Sequence, residues 1–227
     1  MIENFLVVGG SGGIGAATCM RLAEIGYRPI VTYGSNRKAA LMIAERCGGR
    51  LLALDLANHT SIAEVVENMA SYPEPLAGVI LAASPTPVIA PFRKITEENM
   101  QLQWQVTVAG PQRLLAGLVS GCLRKRKKGT IIGILTEAMG DTQRPAWRQC
   151  GAYVIAKFGL LGLLAVLAAE YPWLRVGSVK PGYTETKMLQ VFDRRFLDMM
   201  REKKKFQAPD EVAQEIIKQI PSPGKAS

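Results

Sequence analysis

The chain has 227 residues, 48% of them hydrophobic, and a formal net charge of +9. This length suffices for one substantial core and is short for two independent domains, so we expect one soluble domain, residues 1–220, and a flexible tail, residues 221–227. The first residues lack the basic start and long apolar stretch of a secretory signal, and the four cysteines form no CxxC pair, which disfavours export, a disulfide framework and a metal site and favours the cytoplasm.

Apolar runs of strand length alternate with segments of helical periodicity along the chain. The six runs lie at 5–8, 29–33, 51–54, 77–82, 130–135 and 174–179. Alternation of this kind predicts parallel strands connected by helices. The expected fold is therefore α/β, a single-domain, Rossmann-like, doubly wound parallel sheet with helices on both faces.

Several helix ends carry sequence signals. We expect Gly26 to close the first helix, Thr96 to cap a helix that begins with two glutamates, and Pro209 to open the last helix. Ser61 and Glu64 have the spacing of a capping box at the start of a further helix.

A glycine-rich loop follows the first predicted strand. Gly10, Gly12 and Gly15 have the GxGxxG spacing, and Gly9, Gly13 and Gly15 have the GxxxGxG spacing. Because a strand precedes the loop and a helix follows it, backbone N–H groups and a helix N-terminus are placed where a pyrophosphate binds. The missing side chains let the phosphates approach the backbone, so the loop predicts a dinucleotide site.

The end of the second predicted strand indicates which dinucleotide binds. An NAD-selective site would place an acidic residue there, and no acidic residue occurs within residues 25–44. The strand continues into Ser35, Asn36, Arg37 and Lys38, whose hydroxyl, amide and cationic groups suit a ribose 2′-phosphate. We therefore expect NADP(H) rather than NAD(H); the alternative is that Arg37 and Lys38 are ordinary exposed residues at the start of a helix.

Tyr153 and Lys157 precede the longest apolar stretch of the chain. Their i,i+4 spacing puts the phenol and the ammonium on one face of a helix. A free phenol has a pKa of about 10, and a nearby ammonium lowers that pKa because it stabilises the phenolate. We therefore expect Tyr153 to exchange a proton with a substrate oxygen.

These motifs resemble, in order and over nearly the whole chain, those of the short-chain dehydrogenase/reductase family. Residues 8–15 (VGGSGGIG) are similar to the family's TGxxxGIG loop, residues 153–157 to its YxxxK motif, and residues 181–186 (PGYTET) to its PGxxxT motif. Asp55 and Leu56 resemble the adenine-contacting acid and its neighbour. The resemblance implies a nicotinamide-dependent oxidoreductase.

The resemblance also implies roles for single residues. Tyr153 would donate the proton, Lys157 would hold the cofactor ribose and lower the phenol pKa, and Thr186 would bind the nicotinamide carboxamide. The expected cofactor-binding residues are Gly9, Ser11, Gly12, Gly13, Ile14, Gly15, Ser35, Asn36, Arg37, Asp55, Leu56, Ala82, Ala83, Tyr153, Lys157, Pro181, Gly182, Thr184 and Thr186.

The chain departs from the family at two catalytic positions. The family's serine after the fifth strand falls on Thr136, which keeps a hydroxyl donor but adds a methyl group; Thr142 in the same loop is the alternative. The loop from Thr136 to Tyr153 is longer than is usual. The family's relay asparagine aligns with Thr107, whose hydroxyl or backbone would hold a water near the lysine. We expect Thr136 to steady the substrate oxygen and Thr107 to serve a slower proton relay.

The chain ends soon after the last predicted helix, without the strand that usually completes the sheet and one subunit interface in relatives. This disfavours the family's usual tetramer. Residues 158–169 fall short of the roughly 20 residues of a membrane span and predict a buried helix. Because its face is too apolar to expose freely, we expect a homodimer through the long helices, with a hetero-oligomer containing another reductase-like subunit as the alternative.

Two basic runs account for much of the positive charge. They comprise Arg124, Lys125, Arg126, Lys127 and Lys128, and then Arg194, Arg195, Arg201, Lys203, Lys204 and Lys205. Together with the VKPGYTETKM segment, the first run resembles β-ketoacyl-acyl carrier protein reductases, which implies that basic residues receive an acidic carrier protein. We expect both runs to border one pocket entrance; the alternative is solvated helix ends. Nucleic-acid binding is disfavoured because the runs lack interleaved aromatic residues.

The expected function is that of an NADPH-dependent reductase in which hydride reaches a ketone carbon and Tyr153 donates the proton. A β-ketoacyl thioester on acyl carrier protein or CoA is the leading substrate, and Trp147 is a candidate wall of its pocket. One rival is the same chemistry on a small free alcohol or ketone. The other is a weakly active family member that stabilises a partner subunit, against which the retained Tyr153 and Lys157 argue.

Overall fold

The computed structural model describes residues 2–222. Its six strands form one parallel sheet in the order β3-β2-β1-β4-β5-β6. They are β1 (Asn4–Val8), β2 (Arg28–Tyr33), β3 (Arg50–Ala53), β4 (Leu76–Leu81), β5 (Gly129–Ile134) and β6 (Leu174–Val179). The predicted doubly wound fold is confirmed, with every strand end within one residue of its predicted position. Within the described residues no strand follows β6, and most of the predicted tail, residues 223–227, lies outside them.

Helices cover both faces of the sheet. They are α1 (Gly13–Glu24), α2 (Arg37–Cys47), α3 (His59–Ser71), α4 (Glu97–Trp104), α5 (Gly110–Leu118), α6 (Gly151–Glu170), α7 (Arg194–Lys203) and α8 (Pro209–Ile217). Because successive strand residues point to opposite faces, Phe5 and Val7 join a core with α1, α2 and α8, whereas Leu6 and Val8 join another with α3, α5 and α6.

Three of the predicted helix ends are confirmed. Gly26 follows α1 with a φ of 91°, the Thr96 hydroxyl accepts from the Asn99 N–H at 3.3 Å, and Pro209 is the first residue of α8. Each of these residues supplies the backbone freedom, side-chain acceptor or fixed φ that a helix end needs.

The predicted capping box at Ser61 is wrong. The α3 helix starts three residues earlier, at His59, and its cap is Asn58, whose side-chain oxygen accepts from the N–H groups of Thr60 and Ser61. Asparagine is among the strongest N-caps, and the Ser61 hydroxyl is engaged elsewhere, accepting from the Asp55 N–H at 3.0 Å.

Two helical segments, Glu97–Arg126 and Gly151–Glu170, have the length and hydropathy of a membrane span. This is weak support for a membrane location because core helices of soluble proteins pass the same test. In α6 the buried residues include Leu160, Leu164 and Leu167, which pack in the core, whereas Phe158 and Leu161 are exposed. The predicted burial of 158–169 therefore applies to one face of the helix.

Candidate active site

The glycine loop turns sharply at the carboxyl end of β1. Gly9 has a φ of 83°, and a Cβ placed on it would lie 2.7 Å from the backbone nitrogen of Ala83. A Cβ on Gly15 would overlap the carbonyl oxygen of Gly9. The Gly9 N–H donates to the Thr32 hydroxyl at 3.0 Å, which ties the loop to β2. These positions require glycine, since any side chain would fill the space beside the loop.

The N-terminus of α1 opens onto the loop without a side-chain cap. Gly12 is the capping residue, and the first turn holds no acidic residue. The first N–H groups of a helix lack intrahelical partners and attract anions. Thr186 lies against the same turn, because its Cγ2 would be 2.5 Å from a Cβ on Gly13. This uncapped glycine cradle fits the pyrophosphate of a dinucleotide.

The end of β2 lies beside the loop. A Cβ on Gly10 would be 2.9 Å from the Val31 side chain. Asn36 caps α2, accepting from the Ala39 N–H at 3.0 Å, so its amide oxygen is already engaged. Within residues 2–222, Arg37 forms no ion pair and is exposed. Ser35 and Lys38 are also exposed, and Lys38 forms no ion pair within residues 2–222.

The remaining dinucleotide candidates share this edge of the sheet. Asp55 is exposed after β3, and one of its oxygens accepts from the Ala57 N–H at 2.9 Å. Leu56 is buried. The Ala82 N–H donates to the Val8 carbonyl at 2.9 Å, which brings the end of β4 against β1. In doubly wound sheets the ligand crevice opens where strand order reverses, here between β1 and β4.

The catalytic candidates converge at the end of β5. Thr136 follows that strand, Tyr153 and Lys157 lie on α6, and all three line one pocket. The Lys157 ammonium lies 5.5 Å from the centroid of the Tyr153 ring and donates to the Ile134 carbonyl at 2.7 Å. The Thr136 oxygen accepts from the Ala138 N–H at 3.2 Å, so its O–H remains able to donate. Thr142 is exposed on the loop and does not line the pocket.

Burial sets the charge states of this cluster. It raises the pKa of Tyr153 to about 12, an effect that the Thr136 hydroxyl partly opposes, and it lowers the pKa of Lys157 to about 8. The Tyr153 pKa is therefore raised rather than lowered as expected, because loss of hydration is the largest cause of its shift and the Lys157 ammonium is directed to Ile134. At neutral pH the phenol is protonated and the lysine is charged.

A π-helical turn, Gln105–Ala109, carries Thr107 and packs against α6, the helix of Tyr153 and Lys157. Its side chain is 1% exposed, and its hydroxyl has no hydrogen-bond partner among the described residues. A buried hydroxyl without a partner is costly, so this position suits a group that binds a water molecule.

Gln103 lies four residues before Thr107 and was missed by the sequence analysis. It is 3% exposed, and its amide nitrogen donates to the carbonyl oxygens of Pro85 and Thr86 at 3.3 and 3.2 Å. These bonds fix the loop that follows β4 at the pocket. One signal in the sequence could have identified it: Gln103 lies one helical turn before Thr107, at a position where a buried helix face would normally carry an apolar residue.

Residues 181–186, the PG segment, follow β6 and border the pocket. The Pro181 carbonyl accepts from the Glu137 N–H at 2.9 Å, the Gly182 N–H donates to the Gln207 side chain at 3.1 Å, and the Thr184 hydroxyl donates to the Gly182 carbonyl at 3.2 Å. The segment therefore contacts the loop after β5 through Pro181 and the glycine cradle through Thr186.

The first basic run lies at the opposite edge of the sheet. Arg126 pairs with Glu3, which precedes β1, and donates to the Leu76 carbonyl at the start of β4 at 3.2 Å. A six-residue strand such as β5 spans about 20 Å, which separates residues 124–128 from the pocket at the carboxyl ends. The expectation that both runs border one pocket entrance is therefore wrong. Because β4 and β5 are parallel, the chain must return to the amino ends of the strands before β5 begins, and residues 124–128 lie there.

The second basic run covers α7 and the two residues that follow it. Lys204 lines a cavity next to the pocket and pairs with Glu137 in the loop after β5. Arg201 pairs with Glu185 of the PG segment. Arg194, Arg195 and Lys203 are exposed and form no ion pair among the described residues.

Comparisons with known proteins agree with this architecture. The family profile described as short chain dehydrogenase matches residues 3–195. The chain is 30% identical over 200 residues to an acetoacetyl-CoA reductase of Paracoccus denitrificans, covering 87% of this chain and 80% of that protein. It is 28% identical over 196 residues to the 3-oxoacyl-acyl-carrier-protein reductase FabG of Aggregatibacter actinomycetemcomitans, covering 83% and 79%.

A solved structure shares the fold. A gluconate 5-dehydrogenase from Burkholderia cenocepacia, crystallised with NADP and tartrate, superposes with a TM-score of 0.86 at 18% identity and covers 97% of this chain and 88% of that chain. At this identity the likeness concerns the fold alone.

Proposed function

The chain belongs to the short-chain dehydrogenase/reductase family, and we propose that it is an NADPH-dependent ketoreductase acting on a β-ketoacyl thioester of acyl carrier protein or CoA. The observation that carries the proposal is the convergence of Tyr153, Lys157 and Thr136 in one pocket beside an uncapped glycine cradle. This arrangement supplies a proton donor, a cation and a hydroxyl at one reaction centre.

The dinucleotide lies across the crevice in this proposal. The glycine loop and the N-terminus of α1 hold its pyrophosphate, Asp55 and Leu56 border the adenine, and Lys157 and Thr186 hold the nicotinamide half. When bound, the cofactor supplies the hydride that reaches the ketone carbon. Arg37 and Lys38 favour NADPH, since they are free cations beside the ribose position and no acidic residue competes with a 2′-phosphate.

In this proposal, residues of the protein donate and replace the proton. Thr136 donates a hydrogen bond to the ketone oxygen and stabilises the negative charge that develops there. Tyr153 gives its phenolic proton to that oxygen, and the Lys157 ammonium stabilises the phenolate left behind. Water held at the Thr107 hydroxyl restores the proton by way of Lys157.

Support for a β-ketoacyl thioester comes from two sources. Relatives named acetoacetyl-CoA reductase and 3-oxoacyl-acyl-carrier-protein reductase align over most of their length. The exposed cations Arg194, Arg195 and Lys203 lie on α7, which borders a cavity next to the pocket, and they suit an acidic carrier protein. We further propose a cytoplasmic homodimer whose catalytic domain spans residues 1–220, with a partner reductase subunit as the alternative.

A substrate panel tests the proposal. Initial rates of NADPH and NADH oxidation are measured with acetoacetyl-CoA, a carrier-bound β-ketoacyl thioester and free ethyl acetoacetate. We expect kcat/KM to be at least 10-fold higher with NADPH than with NADH, and higher for both thioesters than for the free ester. Arg37→Ala should weaken the binding of NADPH and leave the binding of NADH unchanged. Arg46→Ala, which removes an exposed arginine at the other end of α2, serves as the matched control. Equal use of both cofactors would remove the NADPH assignment, and preference for the free ester would favour the small-ketone rival.

A further inference from the structure

We propose that the long loop before α6 builds a second, apolar chamber that receives the acyl chain of the substrate, so that the protein prefers β-ketoacyl thioesters longer than acetoacetyl. This inference rests on the proposed function. The chamber is a cavity of about 710 Å³ between the loop, residues 140–150, and the segment that contains α7. Its volume is typical of sites for small organic ligands, about 300–1,000 Å³.

The chamber adjoins the catalytic pocket. Trp147, Cys150, Tyr183 and Phe192 line both spaces. Trp147 stacks on Tyr183 with ring centroids 4.5 Å apart, and its backbone N–H donates to the Ala138 carbonyl at 2.9 Å. The indole is therefore a fixed wall between the reaction centre and the chamber. A substrate whose ketone meets Tyr153 can extend its chain past this wall.

The loop that encloses the chamber has a defined conformation. Gly140 has a φ of 68°, and the Asp141 carboxylate accepts from the N–H groups of Gln143 and Arg144, both at 2.9 Å. The Arg144 guanidinium returns to the same carboxylate at 2.6 Å. These bonds close a tight turn that positions the following residues, Pro145 and Ala146, as chamber wall. The extra loop length thus produces a built surface.

The chamber walls offer little to a polar ligand. Six apolar residues contribute to them besides the shared ones: Ile89, Pro145, Ala146, Val191, Phe196 and Met200. Among the charged lining groups, Lys204 pairs with Glu137, Arg144 pairs with Asp141, and Asp193 caps α7. Arg148 also lines the chamber, is exposed and forms no ion pair within residues 2–222. None of the buried polar atoms without a partner in residues 2–222 belongs to the chamber. A ligand group bound against the apolar walls loses hydration without gaining hydrogen bonds, which favours a hydrocarbon chain there.

The chamber should make kcat/KM depend on the length of the acyl chain. Burying one methylene group is worth about 0.8 kcal/mol, or roughly a fourfold gain. We expect kcat/KM to rise at least 10-fold from the four-carbon to the eight-carbon substrate. The gain should appear chiefly as a lower KM, because the chain is bound alike in the ground state and the transition state.

The test measures kcat/KM with NADPH for N-acetylcysteamine thioesters of 3-ketobutanoate, 3-ketohexanoate, 3-ketooctanoate and 3-ketodecanoate. Ala146 is exposed and lines the chamber but not the catalytic pocket, so Ala146→Trp fills the chamber from its rim. This variant should reduce the eight-to-four-carbon ratio to about 2 or less. Ala63→Trp, on the exposed face of α3, is the matched control and should keep the wild-type ratio.

The outcomes separate the two proposals. If the wild type reduces the four-carbon thioester and its profile is flat, or if Ala146→Trp keeps the wild-type ratio, the chamber inference is overturned and the proposed function stands. If no thioester of any length is reduced, the proposed function is overturned and this inference with it. A ratio that rises in the wild type and collapses only in Ala146→Trp supports the chamber. The ratio compares two substrates on one protein, so a partly unfolded variant does not mimic the result.

Discussion

At the residue scale, the environment of Lys157 decides how the catalytic pair works. The residue is 2% exposed, its ammonium donates to the Ile134 carbonyl at 2.7 Å, and the Tyr153 ring lies beside it. Burial makes the resting phenol a weaker acid, and a cation near the oxygen favours the phenolate that proton transfer leaves behind. At neutral pH the phenol carries the proton that ketone reduction consumes.

The pKa of Lys157 gives a pH prediction. Lys157 is charged at pH values below its pKa of about 8. We therefore expect kcat/KM for ketone reduction to be level near neutrality and to fall above about pH 8. Lys157→Arg stays charged throughout this range, and its residual activity should show no such fall. Rates from about pH 6 to 9.5 check this. A wild-type profile that stays level to pH 9.5 would contradict the assigned role of Lys157.

The Thr136 hydroxyl is the second residue-scale test. An oxyanion donor is typically worth about 10²–10³ in rate, so Thr136→Val should lower kcat by about that factor and leave the Kd for NADPH unchanged. Thr136→Ser should remain within about threefold of the wild type. Thr142→Val, on the exposed loop, is the control and should be neutral. Full turnover by Thr136→Val would assign the donor role to another group.

At the scale of elements, the strands and most helix ends could be predicted because their signals are local. Strand runs such as 77–82 are apolar throughout, and Gly26 and Pro209 have fixed backbone preferences. The α3 start was misplaced since two neighbouring residues, Asn58 and Ser61, both offer a capping oxygen. Local patterns do not decide between such competitors.

The candidate site was predictable in its members and not in its electrostatics. Motif spacing identified Tyr153, Lys157 and Thr136, which the fold brings into one pocket. The pKa values depend on how completely the groups are buried, and burial is set by residues far apart in sequence. Gln103 was missed for the same reason, because its partners Pro85 and Thr86 come from another element.

The element α7 provides a test of carrier docking. Arg194, Arg195 and Lys203 are exposed on α7, which borders the acyl chamber. Their joint change to Glu should raise the KM for a carrier-bound substrate at least fivefold, more at low than at high salt, because exposed charges are screened. The KM for the corresponding N-acetylcysteamine thioester should stay the same.

The charge-matched control for this test lies at the other edge of the sheet. Joint change of Arg124, Lys125 and Lys127 to Glu alters the net charge equally at the amino ends of the strands. It should leave both KM values near wild type. If the two triple variants behave alike, the effect is one of net charge and carrier docking at α7 is wrong.

At the scale of the whole molecule, α4 and α6 expose apolar side chains to solvent. Exposed side chains on α4 and α6 include Leu102, Trp104, Phe158, Leu161 and Val166. Apolar patches of this kind mark protein interfaces. We expect the protein to sediment as a dimer and joint Phe158→Glu and Leu161→Glu to shift it to a monomer. Met42→Glu, exposed on α2 across the sheet, is the control. A wild-type monomer at micromolar concentration would contradict the expectation.

The central claim is that this chain reduces a ketone by hydride transfer with Tyr153 as the proton donor. The most direct measurement uses NADPH with both C4 hydrogens of the nicotinamide replaced by deuterium, together with acetoacetyl-CoA, followed by mass spectrometry of the product. We expect 3-hydroxybutyryl-CoA with one deuterium at C3, formed at least 10³-fold more slowly by Tyr153→Phe, which binds NADPH normally. Absence of deuterated hydroxyacyl product from the wild type, or its formation at an undiminished rate by Tyr153→Phe, would contradict the account.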